Sequence, residues 1–188
     1  RVDFALGRLL MYHGRAMFQT TAPGKIILFG EHAVVYGRPA IAAPVNGLQA
    51  TATLTPGRPG QGVVLELPDV GDRMAVTADA AGQPLAHVTA LALEVLRLVP
   101  PPDWTITLHS TIPVASGLGS GAAAATAIVR SLAAAAGAVL APAQVSALVF
   151  ESEKLFHGTP SGVDNTVIAF GRPVWFMRGQ PPEPFTLA

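Results

Sequence analysis

Three stretches of the chain combine residue types and spacings that could do chemistry. The first runs Ile112-Pro-Val-Ala-Ser-Gly-Leu-Gly-Ser-Gly-Ala122. Glycines at 117, 119 and 121 let backbone N–H groups approach a ligand closely. The alanine-rich run that follows starts a helix, whose first turn adds unpaired donors and a partial positive charge. Together these suit a phosphate. The same glycine spacing also serves in an ordinary tight strand-to-helix turn. It is not a Walker loop, because no Lys-Ser/Thr follows, and the third glycine comes one place early for a dinucleotide fingerprint.

The second stretch is Ala22-Pro-Gly-Lys-Ile-Ile-Leu-Phe-Gly-Glu-His-Ala-Val-Val-Tyr-Gly37. Lys25 stands at the start of an apolar strand, and Glu31 and His32 stand at its end. Taken singly, such a lysine is a solvated charge and such a Glu-His pair a surface turn. What sets them apart is that only 13% of the chain is charged, yet three of these groups flank one apolar strand.

The third stretch is Glu151-Ser-Glu-Lys-Leu-Phe-His-Gly-Thr-Pro-Ser-Gly-Val-Asp-Asn165. Glu153 falls at the C-terminal end of a helix, where the dipole disfavours a carboxylate. A carboxylate there suits a cation such as Mg²⁺, which takes oxygen ligands. Asp164 lies on a Pro/Gly-constrained loop entering a short helix, so it also reads as a helix-start charge. Glu153, His157 and Asp164 could form a metal trio, although neither the spacing nor any cysteine supports tetrahedral zinc.

These residues need elements to hold them. Lys25–Phe29, Ala40–Val45, Leu48–Leu54 and Val63–Leu67 read as strands, with a turn from Thr55 to Gly62. Pro84–Val99 has a helical apolar period, Pro100–Pro102 stops it, and Trp104–His109 alternates as a strand. Helices follow from about Gly121 to Ala136, ended by Gly137, and from Pro142 to about Phe156. His157–Asn165 reads as a loop, leading to a short helix and a strand near Val174–Met177. Strands come first and helices later, which predicts an α+β layered domain rather than a doubly wound sheet.

Composition narrows the function classes. The 188 residues carry 12 basic and 12 acidic side chains, half of them are hydrophobic, and there is no cysteine. Such a chain buries a core. It offers no electrostatic reason to bind nucleic acid or an anionic membrane surface. Disulfides and thiol nucleophiles are excluded, and a reducing, cytoplasmic setting is consistent with that. The most apolar stretch, Ala122–Phe150, is mostly alanine and is broken by Arg130, Gly137 and Pro142, so packed helices are expected rather than a membrane span. Residues 1–16 are read as upstream or non-native leader sequence, with Met17 the natural start, 17–178 as the domain, and 179–188 as the start of a connector.

In order and spacing, the three stretches resemble the signature regions of the GHMP kinases, within them the mevalonate kinase family. APGKIILFGEHAVVYG is similar to the N-terminal motif, PVASGLGSGAA to the phosphate loop, and HGTPSGVDN to the catalytic loop. Galactokinases follow Gly-Glu-His with Thr-Asp-Tyr, and phosphomevalonate kinases lack HGTPSGVDN. The resemblance implies the family's N-terminal domain, a mostly antiparallel sheet backed by helices (ribosomal protein domain 2-like). It implies ATP and Mg²⁺ as cofactors, mevalonate as the small-molecule partner, and a homodimer as an allowed assembly. By position it makes Asp164 the base that accepts the substrate hydroxyl proton and Lys25 the lysine beside it. Glu153 becomes a Mg²⁺ ligand, with Ser120 a second candidate. Ala115, Ser116, Gly117, Leu118, Gly119, Ser120 and Gly121 become the triphosphate loop, Ser110 a further nucleotide contact, and Glu31 and His32 the substrate end.

Two departures stand out. The family loop usually reads Gly-Leu-Gly-Ser-Ser-Ala, with the second serine touching Mg²⁺, whereas Gly121 occupies that place here. A positive φ at that position is one reason a glycine would be favoured. The family's second-domain Gly-rich motif is also missing, so the chain matches the N-terminal half. The implied reaction is phosphorylation of mevalonate to 5-phosphomevalonate. The alternatives are another small alcohol as substrate, or a non-catalytic nucleotide-binding remnant.

Overall fold

The computed structural model describes residues 2–4, 7–12, 15–77 and 82–186, with side chains from 17 onward. Parts of the expected leader (1, 5–6 and 13–14) and of the expected connector (187–188) lie outside the described residues. The strands are β1 (Val2–Phe4), β2 (Gly7–Tyr12), β3 (Arg15–Phe29), β4 (Ala40–Pro56), β5 (Val63–Leu67), β6 (Asp72–Ala75), β7 (Trp104–Ser110), β8 (Val174–Phe176) and β9 (Glu183–Pro184). The helices are α1 (Pro84–Val95), α2 (Ser120–Ala135), α3 (Pro142–His157) and α4 (Val163–Phe170). Short 3-10 turns occupy Ala33–Tyr36 and Pro68–Val70.

The strands form one sheet in the order β1-β2-β3-β4-β7-β5-β6, with β8 also on β4 and β9 on β8. Every pairing is antiparallel except β5 with β7. The α+β reading holds: a mixed, mostly antiparallel sheet is backed by four helices.

α2 is the centre of the helical layer. It packs on β3 and β4 and touches α1, α3 and α4. Every residue from Ala122 to Ala133 is buried. A helix buried all round can approach its neighbours closely only with small side chains, which is why alanine dominates it. Its N-terminal end carries the glycine-rich loop.

Several boundaries differ from the sequence expectation, for local reasons. The helix predicted to reach Val99 ends at Val95 because Arg97 takes φ 59°, with Leu98 N–H donating to Leu93 O and Arg97 N–H to Glu94 O. That is the 6→1 and 5→2 pairing of a helix stop, made without a glycine. The two strands expected over residues 40–54 are one, β4. Its partner register jumps from Pro23↔Gln49 to Gly24↔Val45, so residues 46–48 bulge out beside the start of the Lys25 strand. β6 and β9 are additional strands; inside the segment set aside as leader, β2 pairs onto β3 and β1 onto β2.

Candidate active site

β3 turns Lys25 inward. The side chain is only 8% exposed, and Nζ lies 3.0 Å from Asp164 Oδ1. The solvated-lysine reading of position 25 therefore fails on geometry: a buried ammonium needs a partner, and the carboxylate supplies it. Asp164 sits in the first turn of α4, behind Gly162 at φ 91°.

The glycine-rich loop closes onto this pair. Lys25 N–H donates to Leu118 O at 2.9 Å, which stitches the end of the loop to β3. Gly119 caps α2 at φ 73°. A β-carbon there would stand 3.0 Å from Lys25 Cγ, 3.0 Å from Ile168 Cδ1 and 3.4 Å from Asp164 Oδ2. Only glycine serves at 119, for both conformation and space. Gly117 also takes a positive φ of 76° and Ala115 one of 57°. Ser116 Oγ–H donates to Pro113 O within the loop, and Ser120 begins the helix, where the unpaired N–H groups start.

Gly121 behaves differently from the expectation of a positive φ. It lies inside the first turn of α2 and its φ is ordinary. What stands beside it is Phe156 of α3, whose ring carbons would lie 3.1–3.4 Å from an added β-carbon.

Glu153, in the last turn of α3, is 3% exposed. Burial, reinforced by the Asp164 charge and opposed by Lys25, pushes its carboxyl up to about 7. Its Oε1 has no hydrogen-bond partner, and its Oε2 faces His157 Nε2 at 3.7 Å, too far for a hydrogen bond. A buried carboxylate with an orphaned oxygen and a raised pKa is what a hard cation would relieve, so the residue fits Mg²⁺ chemistry. Among the described residues no group of three His, Asp or Glu side chains could enclose a metal, so Glu153, His157 and Asp164 are not a trio.

A cleft of about 240 Å³ opens over these groups, lined by Glu153, Asp164, Asn165, His157, Val35 and the Thr159–Gly162 loop. Val35 belongs to the 3-10 turn that follows Glu31 and His32. Those two side chains are exposed, and neither makes a hydrogen bond or ion pair with Lys25, Asp164 or Glu153 among the described residues. The turn rather than the pair borders the cleft. Gly30 permits it, because a β-carbon there would be 2.3 Å from Pro39 O.

Ser110, at the end of β7, uses its Oγ to accept from Ile112 N–H at 3.2 Å, and its own N–H donates to Asp69 Oδ2 at 2.7 Å. Sequence reasoning missed Asp69, although Pro68-Asp69-Val70-Gly71 is legible as a turn. It also missed Arg130, which is 8% exposed. Arg130 Nη1 donates to Thr21 O on β3 at 2.8 Å, and Nη2 to Ala169 O of α4 at 3.0 Å. Burial without a carboxylate lowers its pKa to about 10. Asn165 Nδ2 donates to Ser146 O and Oγ, tying α4 to α3.

No helix of the described residues is long and apolar enough to cross a membrane. Residues 86–172 match the model of the GHMP kinases N terminal domain. The chain is 34% identical over 174 residues to a mevalonate kinase of Aeropyrum pernix, a match covering 89% of this chain and 53% of the relative. The chain thus spans about half the length of the curated relatives it matches. The fold is shared with the mevalonate kinase of Methanococcus jannaschii, at TM-score 0.78 and 22% identity over 89% of this chain and 55% of that one. It is shared as well with a Lactococcus lactis galactokinase complexed with galactose, at TM-score 0.72 and 18% identity over 92% and 48%. A glycine-rich loop seated on a buried lysine–aspartate pair, in a domain with this topology and these relatives, places the chain in the GHMP kinase family, whose N-terminal domain it carries.

Proposed function

We propose that the protein phosphorylates the primary hydroxyl of mevalonate with ATP, giving 5-phosphomevalonate and ADP, and that this chain carries its nucleotide loop and catalytic base. The observation that supports this best is Gly119, where α2 begins and where an added β-carbon would stand 3.0 Å from Lys25 Cγ and 3.4 Å from Asp164 Oδ2. Phosphate cradled by the loop and the first N–H groups of α2 is then adjacent to the base. Asp164 accepts the substrate hydroxyl proton, and Lys25, its ion-pair partner at 3.0 Å, stabilises the developing alkoxide. Loop amides offset charge on the transferred group. Glu153 would hold Mg²⁺ together with phosphate oxygens and water; the ion would supply charge neutralisation.

Mevalonate, rather than another alcohol, is favoured by GEHAVVYG and HGTPSGVDN occurring together and by the identity to mevalonate kinases. A cytoplasmic enzyme fits that reading. The test is ADP release by the full-length protein with mevalonate, galactose, homoserine and phosphomevalonate. Preference for mevalonate is expected. Equal or better turnover of another alcohol overturns the substrate assignment, and nucleotide binding without turnover of any points to a non-catalytic remnant.

A further inference from the structure

The glycine-rich loop is tied down at both ends, and the ties at its start come from outside the three motifs discussed above. At its end, Lys25 N–H holds Leu118 O. At its start, Thr111 exchanges backbone and side-chain hydrogen bonds with Gln49, just past the bulge in β4. The second tie at the start is Asp69. Its Oδ2 accepts from Ser110 N–H at 2.7 Å and its Oδ1 lies 2.9 Å from His109 Nδ1.

Asp69 stands on the 3-10 turn Pro68–Val70 that leaves the C-terminal end of β5. Ser110 and His109 are the C-terminal end of β7, its parallel neighbour. One carboxylate here bridges the two strand ends and grips the last strand residue before the loop. Its charge is engaged by a backbone N–H and a ring nitrogen, which lowers its pKa.

We infer that Asp69 is a positioning residue for the nucleotide loop: it fixes the loop's starting point so that its ordering is completed on folding and not on nucleotide binding. This rests on the reading of that loop as the ATP site. A flexible loop of this kind must lose conformational freedom when it closes on phosphate, and a tie made in advance removes part of that loss. The effect belongs to binding, because Asp69 touches neither the Lys25–Asp164 pair nor the cleft over Glu153.

The experiment compares wild type, Asp69→Ala, Asp69→Asn and His109→Ala in the full-length protein. It measures Kd for a fluorescent ATP analogue, KM for ATP and kcat, with thermal melts alongside. Asp69→Ala should raise Kd and KM for the nucleotide about tenfold, with kcat within threefold. Asp69→Asn keeps an oxygen for Ser110 N–H and should recover most of the loss. His109→Ala, which leaves the Ser110 bond in place, should fall between and serves if Asp69→Ala does not fold. Unchanged nucleotide affinity in a folded Asp69→Ala, or in His109→Ala when Asp69→Ala is unfolded, overturns the inference alone. So does a fall confined to kcat. A wild type that binds no nucleotide overturns the functional reading and this inference with it.

Discussion

Gly121 and Phe156 occupy one another's space: a β-carbon on the glycine would lie 3.1 Å from Cε2 of the ring. The backbone of Gly121 is helical, so the departure from the family's serine is a packing matter and not a strained turn. Serine at 121 therefore has to move a ring that is 44% exposed, which is the less costly kind of overpacking. Gly121→Ser should leave kcat within several-fold and lower the Mg²⁺ needed for half-maximal rate only modestly. The double variant Gly121→Ser/Phe156→Ala should lower it further. MgCl₂ titration at saturating ATP separates the two, and identical titrations would show that the ring is not the obstacle.

Asp164→Asn keeps the shape of the side chain and removes the proton acceptor. General-base catalysis is worth about 10²–10⁴-fold, so kcat should fall by that much while nucleotide affinity changes little. A fall below tenfold in steady-state assays would reduce Asp164 to a helix-start charge and an ion-pair partner for Lys25.

Glu153 makes the protein without bound metal pH-sensitive in a defined direction. Its folded-state pKa is raised to about 7 from 4.5, so folding favours the protonated form. The associated stability is complete below the unfolded-state value and is lost as pH rises through about 7. A shift of that size corresponds to about 3 kcal/mol as an order of magnitude. Thermal melts between pH 4 and 8 should show wild type losing stability relative to Glu153→Gln as pH rises, with Mg²⁺ and nucleotide together narrowing the gap. The same variant should raise the Mg²⁺ requirement for activity sharply. Parallel melting curves for the two proteins would argue against a buried, titrating carboxyl.

Arg130 joins the two elements that bear Lys25 and Asp164. Its guanidinium holds Thr21 O, four residues before the lysine, and Ala169 O, five residues after the aspartate. Arg130→Met matches the volume and removes the guanidinium donors that hold both carbonyls, which should cost about 2–4 kcal/mol by urea unfolding. Arg130→Lys should retain part of that. A change under 1 kcal/mol would mean that the apolar contacts of α4 alone suffice.

The sequence by itself determined the local pieces. The glycines at 117 and 119, the stop at Gly137 and the Pro-Ser-Gly turn before Asp164 were legible because each reflects backbone geometry that neighbouring residues decide. The α+β layering followed from the order of strand and helix periodicities. Tertiary structure alone decided which pieces meet. Lys25 and Asp164 are far apart in the chain, and their spacing carries no sign of the pairing, which entered the sequence reading only through the family resemblance; the buried α2 brings β3 and α4 together around it. The strand ends at Asp69 and Ser110 face each other because β5 joins β7 in parallel, a pairing that no local pattern encodes. Gly121 was open for the same reason: a glycine in sequence signals either backbone freedom or lack of space, and only the position of Phe156 shows that here it is space.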